Sequence, residues 1–208
     1  FGSTFDGVTT FDSQAYMVVP GGNTRERNRG RGLWGGGWNS PSSTSTNNID
    51  FIQIQSGGIA KDFGDLIAGG NQIRGVSSST RGVFLGGRRP HPGVVNTMDF
   101  VTIATTGNAL DFGDLTYSIS MPFAFASTTR GIFAGGNSSP TINFITIAST
   151  GDATVFGSLS VGTVASNGAV SNATRGCMKM RSGSYINTID FLTTATLGNS
   201  VDFGDSTN

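Results

Sequence analysis

Residues able to do acid–base, nucleophilic or metal chemistry are scarce in this chain. His91 is the only histidine, Cys177 the only cysteine and Glu26 the only glutamate, and Lys61 and Lys179 are the only lysines. One histidine cannot assemble a His-rich zinc or copper cage, and one cysteine cannot form an internal disulfide. Neither a Gly-x-Ser-x-Gly elbow nor a phosphate-binding loop is present. Acid pairs recur, Asp62 with Asp65 and Asp111 with Asp114. No dense run of oxygen ligands follows them, so they suit the capping of turn amides better than calcium. The expectation is a protein that is not an enzyme and has neither metal nor cofactor.

Binding chemistry is better represented. Four segments follow similar short apolar runs and differ most from one another: "WNSPSSTSTN" (38–47), "RRPHPGVV" (88–95), "NSSPT" (137–141) and "RSGSY" (181–185). The candidate ligand-binding residues are Trp38, Arg88, Arg89, His91, Tyr117 and Tyr185. Aromatic rings with arginine, asparagine and serine suit a rim that holds sugar or protein; ordinary solvated loops have the same composition. Arg25, Arg27, Arg29 and Arg31 alternate with other residues. On a strand they would share a face, as a local anion site or as an exposed hairpin partly offset by Glu26.

The elements that must position these residues follow from a repeat. "DFGDL" stands at 62–66 and again at 111–115, "VFGSL" at 155–159 and "DFGD" at 202–205. Their phenylalanines, Phe63, Phe112, Phe156 and Phe203, are spaced 49, 44 and 47 by subtraction. Another phenylalanine stands 12 residues before each: Phe51, Phe100, Phe144 and Phe191. Arg-Gly precedes those at 31–32, 81–82, 130–131 and 175–176. Features locked in one order at a period near 50 residues mark a repeat array.

Within a unit, "RGVFLGG" (81–87) and "RGIFAGG" (130–136) read as strands entering a tight turn. "NTMDFVTIA" (96–104), "TINFITIA" (141–148) and "NTIDFLTTA" (187–195) alternate polar with apolar, the period of a half-buried strand. "ALDFGDL" (109–115) is the next strand, and a softer segment such as "PFAFASTT" (122–129) leads to the next Arg-Gly. That is about four strands per unit. One such sheet cannot bury both faces alone, and stacking units radially does. The predicted fold is all-β, a propeller of about four blades of four antiparallel strands. The chain reads as one repeat domain over 1–208, with units near 1–62, 63–111, 112–155 and 156–208. An insertion falls near 12–31 in the first unit. The array either closes as a four-bladed ring or belongs to a longer one. Each repeated Phe is expected to pack between neighbouring blades, and Cys177, where sister units have Val83 and Ile132, to be buried.

A hydrophobic strand ending in Gly-Gly, then a polar–apolar strand, then an aromatic a dozen residues on, resembles the kelch repeat. Phe63, Phe112, Phe156 and Phe203 fall where kelch blades carry Trp. The fit covers almost the whole chain, although the fourth unit reads "RGCMKMRSG" and lacks Gly-Gly. The several histidines and the Cys–Tyr pair of kelch-type copper oxidases are missing. The fuller phrasing, as in "NTMDFVTIATTGNALDFGDL" (96–115), is similar to kelch-like repeats in virion and tail-fibre proteins of marine, often cyanobacterial, phages.

That resemblance implies a non-enzymatic virion surface or tail appendage protein, adhesive toward host-surface glycan or protein. Its expected partners are other virion structural proteins and host-surface glycans, with a homo-oligomer as a further option, at the virion surface or outside the cell. The alternative is a secreted bacterial or archaeal lectin or fibre subunit. Formal net charge is +0, which gives no field for nucleic acid or an anionic membrane. No apolar run approaches the roughly 18 residues of a membrane span. No secretory signal is visible, and an opening on Phe1 reads as a processed chain or a fragment.

Overall fold

The computed structural model describes residues 30–39, 42–54, 56, 58–161, 168–180 and 186–207. Among these the chain is all-β and without helix, in four antiparallel sheets whose strand order follows chain order. The first sheet holds β1 (Arg31–Asn39), β2 (Thr44–Gln53) and β3 (Lys61–Asp65). The second holds β4 (Arg74–Ser77), β5 (Arg81–Leu85), β6 (Thr97–Thr102) and β7 (Leu110–Asp114). The third holds β8 (Phe123–Ala126), β9 (Arg130–Ala134), β10 (Thr141–Thr146) and β11 (Thr154–Ser158). The fourth holds β12 (Ala169–Ser171), β13 (Arg175–Lys179), β14 (Thr188–Thr193) and β15 (Val201–Asp205). The expected four strands stand in three sheets. The first shows three, and most of the insertion near 12–31, with Arg25, Arg27 and Arg29, lies outside the described residues.

The repeated phrase makes the last strand of each sheet, and it carries a bulge. Ile49 pairs with Gly64 but Asp50 with Asp62, so Phe63 is the extra residue. The same shift falls at Met98/Asp99, Ile142/Asn143 and Ile189/Asp190, opposite Phe112, Phe156 and Phe203. A bulge re-aims its side chain out of the alternation. Here it sends the ring edge-on toward the partner Phe of its own sheet, at 5.8 Å for Phe51–Phe63 and 5.9 Å for Phe100–Phe112.

Each sheet thus has a trailing face, toward the next sheet, and a leading face, toward the previous one. Three cores lie between the faces. Ile49, Phe51, Phe63 and Leu66 meet Phe84, Val101 and Ala109 between the first and second sheets. Val83, Leu85, Met98 and Phe112 meet Phe133, Ile145 and Ile147 between the second and third. Ile132, Ile142 and Phe156 meet Met178 and Leu192 between the third and fourth. Full burial of each of the larger side chains stabilises by roughly 1.5–3 kcal/mol.

Polar contacts recur at the same junctions. Gly107 N donates to Phe63 O at 2.7 Å, Asp65 N to Asn108 Oδ1 at 3.1 Å and Ala109 N to Asp65 O at 2.8 Å. Gly151, Asp152 and Ala153 repeat this against Phe112 and Asp114. Gly198, Asn199 and Ser200 repeat it against Phe156 and Ser158. It is therefore the Asn or Asp of the following turn, rather than the Asp of the repeated phrase, that caps an amide across each junction.

Two expectations are corrected. Phe203 is 55% exposed where Phe63 and Phe112 are 2%, because no described sheet covers the trailing face of the fourth. Cys177 is half-buried for the same reason, on the face whose sister positions in the second and third sheets are closed. Among the described residues, no helix is long and apolar enough to cross a membrane.

Candidate functional site

The Gly-Gly pairs launch the variable loops. Gly86 and Gly87 have φ of 57° and 90°, a region that glycine enters freely. They also pass close to other backbone: a Cβ on Gly87 would lie 2.7 Å from Asn71 O. The chain then turns outward into 88–95, where Arg88 N donates to Asn71 O at 2.8 Å and Arg89 N to Gly93 O at 2.9 Å. The Arg89–Pro90 and His91–Pro92 peptide bonds are both cis.

The two neighbouring arginines part company. Arg88 stays half-buried at the surface, with Nε donating to Gln72 Oε1 at 3.0 Å and Nη1 to Pro92 O at 2.9 Å. Arg89, expected on the rim, turns inward and is 3% exposed. Its Nη1 meets Asp99 Oδ2 at 2.6 Å and its Nε donates to Gly86 O at 2.9 Å. Asp99 Oδ2 also accepts Ile67 N, from the chain leaving the first sheet, at 3.1 Å. Burial lowers the Arg89 guanidinium pKa and the Asp99 carboxylate opposes that shift; a guanidinium stays charged nonetheless. The pair is therefore an internal brace that holds the root of the loop.

Above that brace the structure brings together Trp38, from the end of β1, and His91, from the tip of the loop. Their ring centroids are 4.5 Å apart and tilted by 52°. Both rings reach solvent, Trp38 at 43% exposure. Gln72, a residue with no motif around it, holds the Arg88 side chain at the base of the same loop. Its only local signal was a polar residue in the segment between sheets.

Tyr117 does not join this group. It is half-buried against the core between the second and third sheets, and its hydroxyl donates to Thr141 O at 3.1 Å. Burial raises its pKa, opposed by a hydrogen bond with Ser139. Tyr185 lies outside the described residues.

A concavity of about 600 Å³ sits where the first strands of successive sheets turn into the second. Ser77, Ser78, Ser127, Thr128 and Asn172 line it, with Arg31 at one side. Among the described residues, no group of three or more His, Cys, Asp or Glu is placed to hold a metal ion.

No protein-family model matches the chain, and no curated protein matches it. The functional reading therefore rests on the site's own chemistry. An exposed indole beside an imidazole offers a flat apolar surface with N–H donors at its edge. That combination stacks on the C–H face of a sugar ring and hydrogen-bonds its hydroxyls.

Proposed function

We propose that this chain is a non-enzymatic surface or tail appendage protein of a virus particle, a phage in particular. In this reading the four sheets are blades of a kelch-like β-propeller, and the Trp38–His91 rim holds host-surface glycans. The observation that carries the binding part is the 4.5 Å pairing of two exposed rings contributed by different sheets. Two elements must be docked together to make that surface, so it is more than a chance display by one loop. The propeller reading draws support from the first strands of the sheets, since β8 touches both β4 and β12, as blades do around an axis. The virion reading draws on the repeated phrasing of the sequence. Its partners are then other virion proteins and host-surface glycans, at the virion surface or outside the cell.

The test is glycan binding by the full chain and by Trp38→Ala. The expected result is saturable binding to a subset of glycans that falls on the order of tenfold or more in the variant, with the melting temperature unchanged. Binding that ignores Trp38→Ala and His91→Ala alike removes the rim from the reading. Mass spectrometry of native material tests the location. Capsid or tail proteins at fixed stoichiometry support the virion; secreted or envelope proteins instead point to a cellular lectin or fibre subunit.

A further inference from the structure

The three internal junctions share one pattern on the trailing side, and both a trailing and a leading face also stand open elsewhere in the molecule. On the trailing side, an arginine lies over a Phe ring and reaches the next sheet. Arg81 Nη1 donates to Ile147 O at 3.1 Å and Arg130 Nη1 to Thr194 O at 3.0 Å, and Arg31 reaches Ile103 O in the same way. On the leading side of the second and third junctions, the glycine after the arginine makes room for a side chain of the previous sheet's first strand. A Cβ on Gly131 would lie 2.6 Å from Val76 Cγ2, and one on Gly176 would overlap the Phe125 ring.

The fourth sheet carries a complete trailing half with nothing described against it. Arg175 rests 4.4 Å over the Phe191 ring, and Phe191 meets Phe203 edge-on at 6.0 Å. Val170, at the position of Val76 and Phe125, is 71% exposed. A Cβ on Gly204 would meet nothing within 4 Å, whereas its sisters Gly64, Gly113 and Gly157 lie against the next turn. The first sheet carries a leading half in the same state. Trp34, at the position of Phe84, Phe133 and Met178, is exposed. Ile54, at the position of the buried Ile103 and Ile147, is 59% exposed.

We propose that the trailing face of the fourth sheet docks the leading face of the first sheet of a second copy of this chain. Continuity with the internal junctions sets the pairing. Arg175 reaches the Ile54 carbonyl, and Val170 meets the Trp34 ring, which lies over Gly32. The amides of Gly58 and Ala60 meet the carbonyls of Phe203 and Asp205. Both apolar faces would leave water together, which is the driving force.

Two departures weaken this contact relative to the internal ones. Ile59 stands where Asn108, Asp152 and Asn199 accept an amide, so Asp205 N finds no side-chain acceptor. Lys179 replaces an apolar residue, Leu85 or Ala134. The result is a reversible joint. Because it is head-to-tail, it closes into a ring or runs on as a filament. Two chains bring eight sheets, within the range of about 4–8 blades in known propellers. The inference concerns the end faces and stands apart from the glycan rim.

Sedimentation velocity of the full chain over a wide concentration range tests it. The expected result is concentration-dependent association, weakened about tenfold or more by Phe203→Asp, by Val170→Asp and by Ile54→Asp. All three positions are solvent-facing in the single chain, so unchanged circular dichroism and melting should accompany the loss. Mixing provides the decisive arm. Ile54→Asp keeps its trailing face and Phe203→Asp its leading face, so an equimolar mixture should form a one-to-one dimer and stop there. A chain that stays monomeric at every concentration overturns the proposal. So does association that survives all three substitutions, or a mixture that fails to pair.

Discussion

Arg81 works in two sheets at once: its Nη1 donates to the carbonyl of Ile147 in the next sheet, at 3.1 Å. Its guanidinium carbon rests 4.3 Å from the centre of the Phe100 ring of its own sheet. The ring holds the fork at the height of the neighbouring carbonyl, and the stem covers apolar surface on the way. Arg81→Ala should therefore cost about 2–3 kcal/mol, from a charge-assisted hydrogen bond and a cation–π contact together. Arg81→Lys should cost less, since charge and stem remain. Denaturant midpoints check both, and an alanine variant within about 0.5 kcal/mol of the parent would remove the arginine from the junction.

Phe112 and Phe203 occupy the same bulge in two sheets, one covered and one open. Phe112→Ala should cost roughly 3–5 kcal/mol by opening a cavity. Phe203→Ala, measured at a concentration where the chain is monomeric, should cost less than about 1 kcal/mol. Equal losses at the two positions would contradict the exposure difference.

Gly113 and Gly204 have φ of 132° and 131° and differ in their surroundings. A Cβ on Gly113 would lie 2.6 Å from the Gly151 carbonyl, while one on Gly204 would meet nothing within 4 Å. Gly204→Ala should show only the conformational cost, about 1–2 kcal/mol. Gly113→Ala should add about 1–3 kcal/mol for displacing the neighbouring backbone. The difference between the two melts isolates the close approach.

Removing Arg89 leaves the Asp99 carboxylate buried and without its cation. Arg89→Leu should destabilise by about 3–5 kcal/mol. Asn143 stands at the position of Asp99 in the third sheet and is equally buried without an arginine. Arg89→Leu with Asp99→Asn should therefore recover a large part of the loss, because an asparagine oxygen can still accept Ile67 N. A double variant no better than the single would show that burial of charge is not what the pair controls. Both variants should also loosen the loop that places His91 on Trp38, read as a change in Trp38 fluorescence.

The repeat and most of its strands were legible because they depend on local pattern. "RGVFL", "TMDFVT" and "LDFGD" alternate or run apolar at strand length, and each forms a strand in the second sheet. The bulge was not legible. "DFGD" reads as unbroken alternation, and only the register against Met98 and Asp99 shows that Phe112 is supernumerary. In the candidate site, Trp38 and His91 were picked by residue type, whereas their meeting depends on the docking of two sheets.

By itself the sequence determined an all-β repeat with two phenylalanines locked 12 residues apart in each unit, because period and glycine placement act within a few residues. Tertiary structure alone decided which copies of that phenylalanine are buried. Phe112 and Phe203 lie in nearly the same local sequence, yet one meets Gly151 and Ala153 of a following sheet and the other meets solvent. It likewise decided that Arg88 stays at the surface while Arg89 turns inward to Asp99. Burial and charge pairing are properties of what stands opposite a residue, and what stands opposite is far away along the chain.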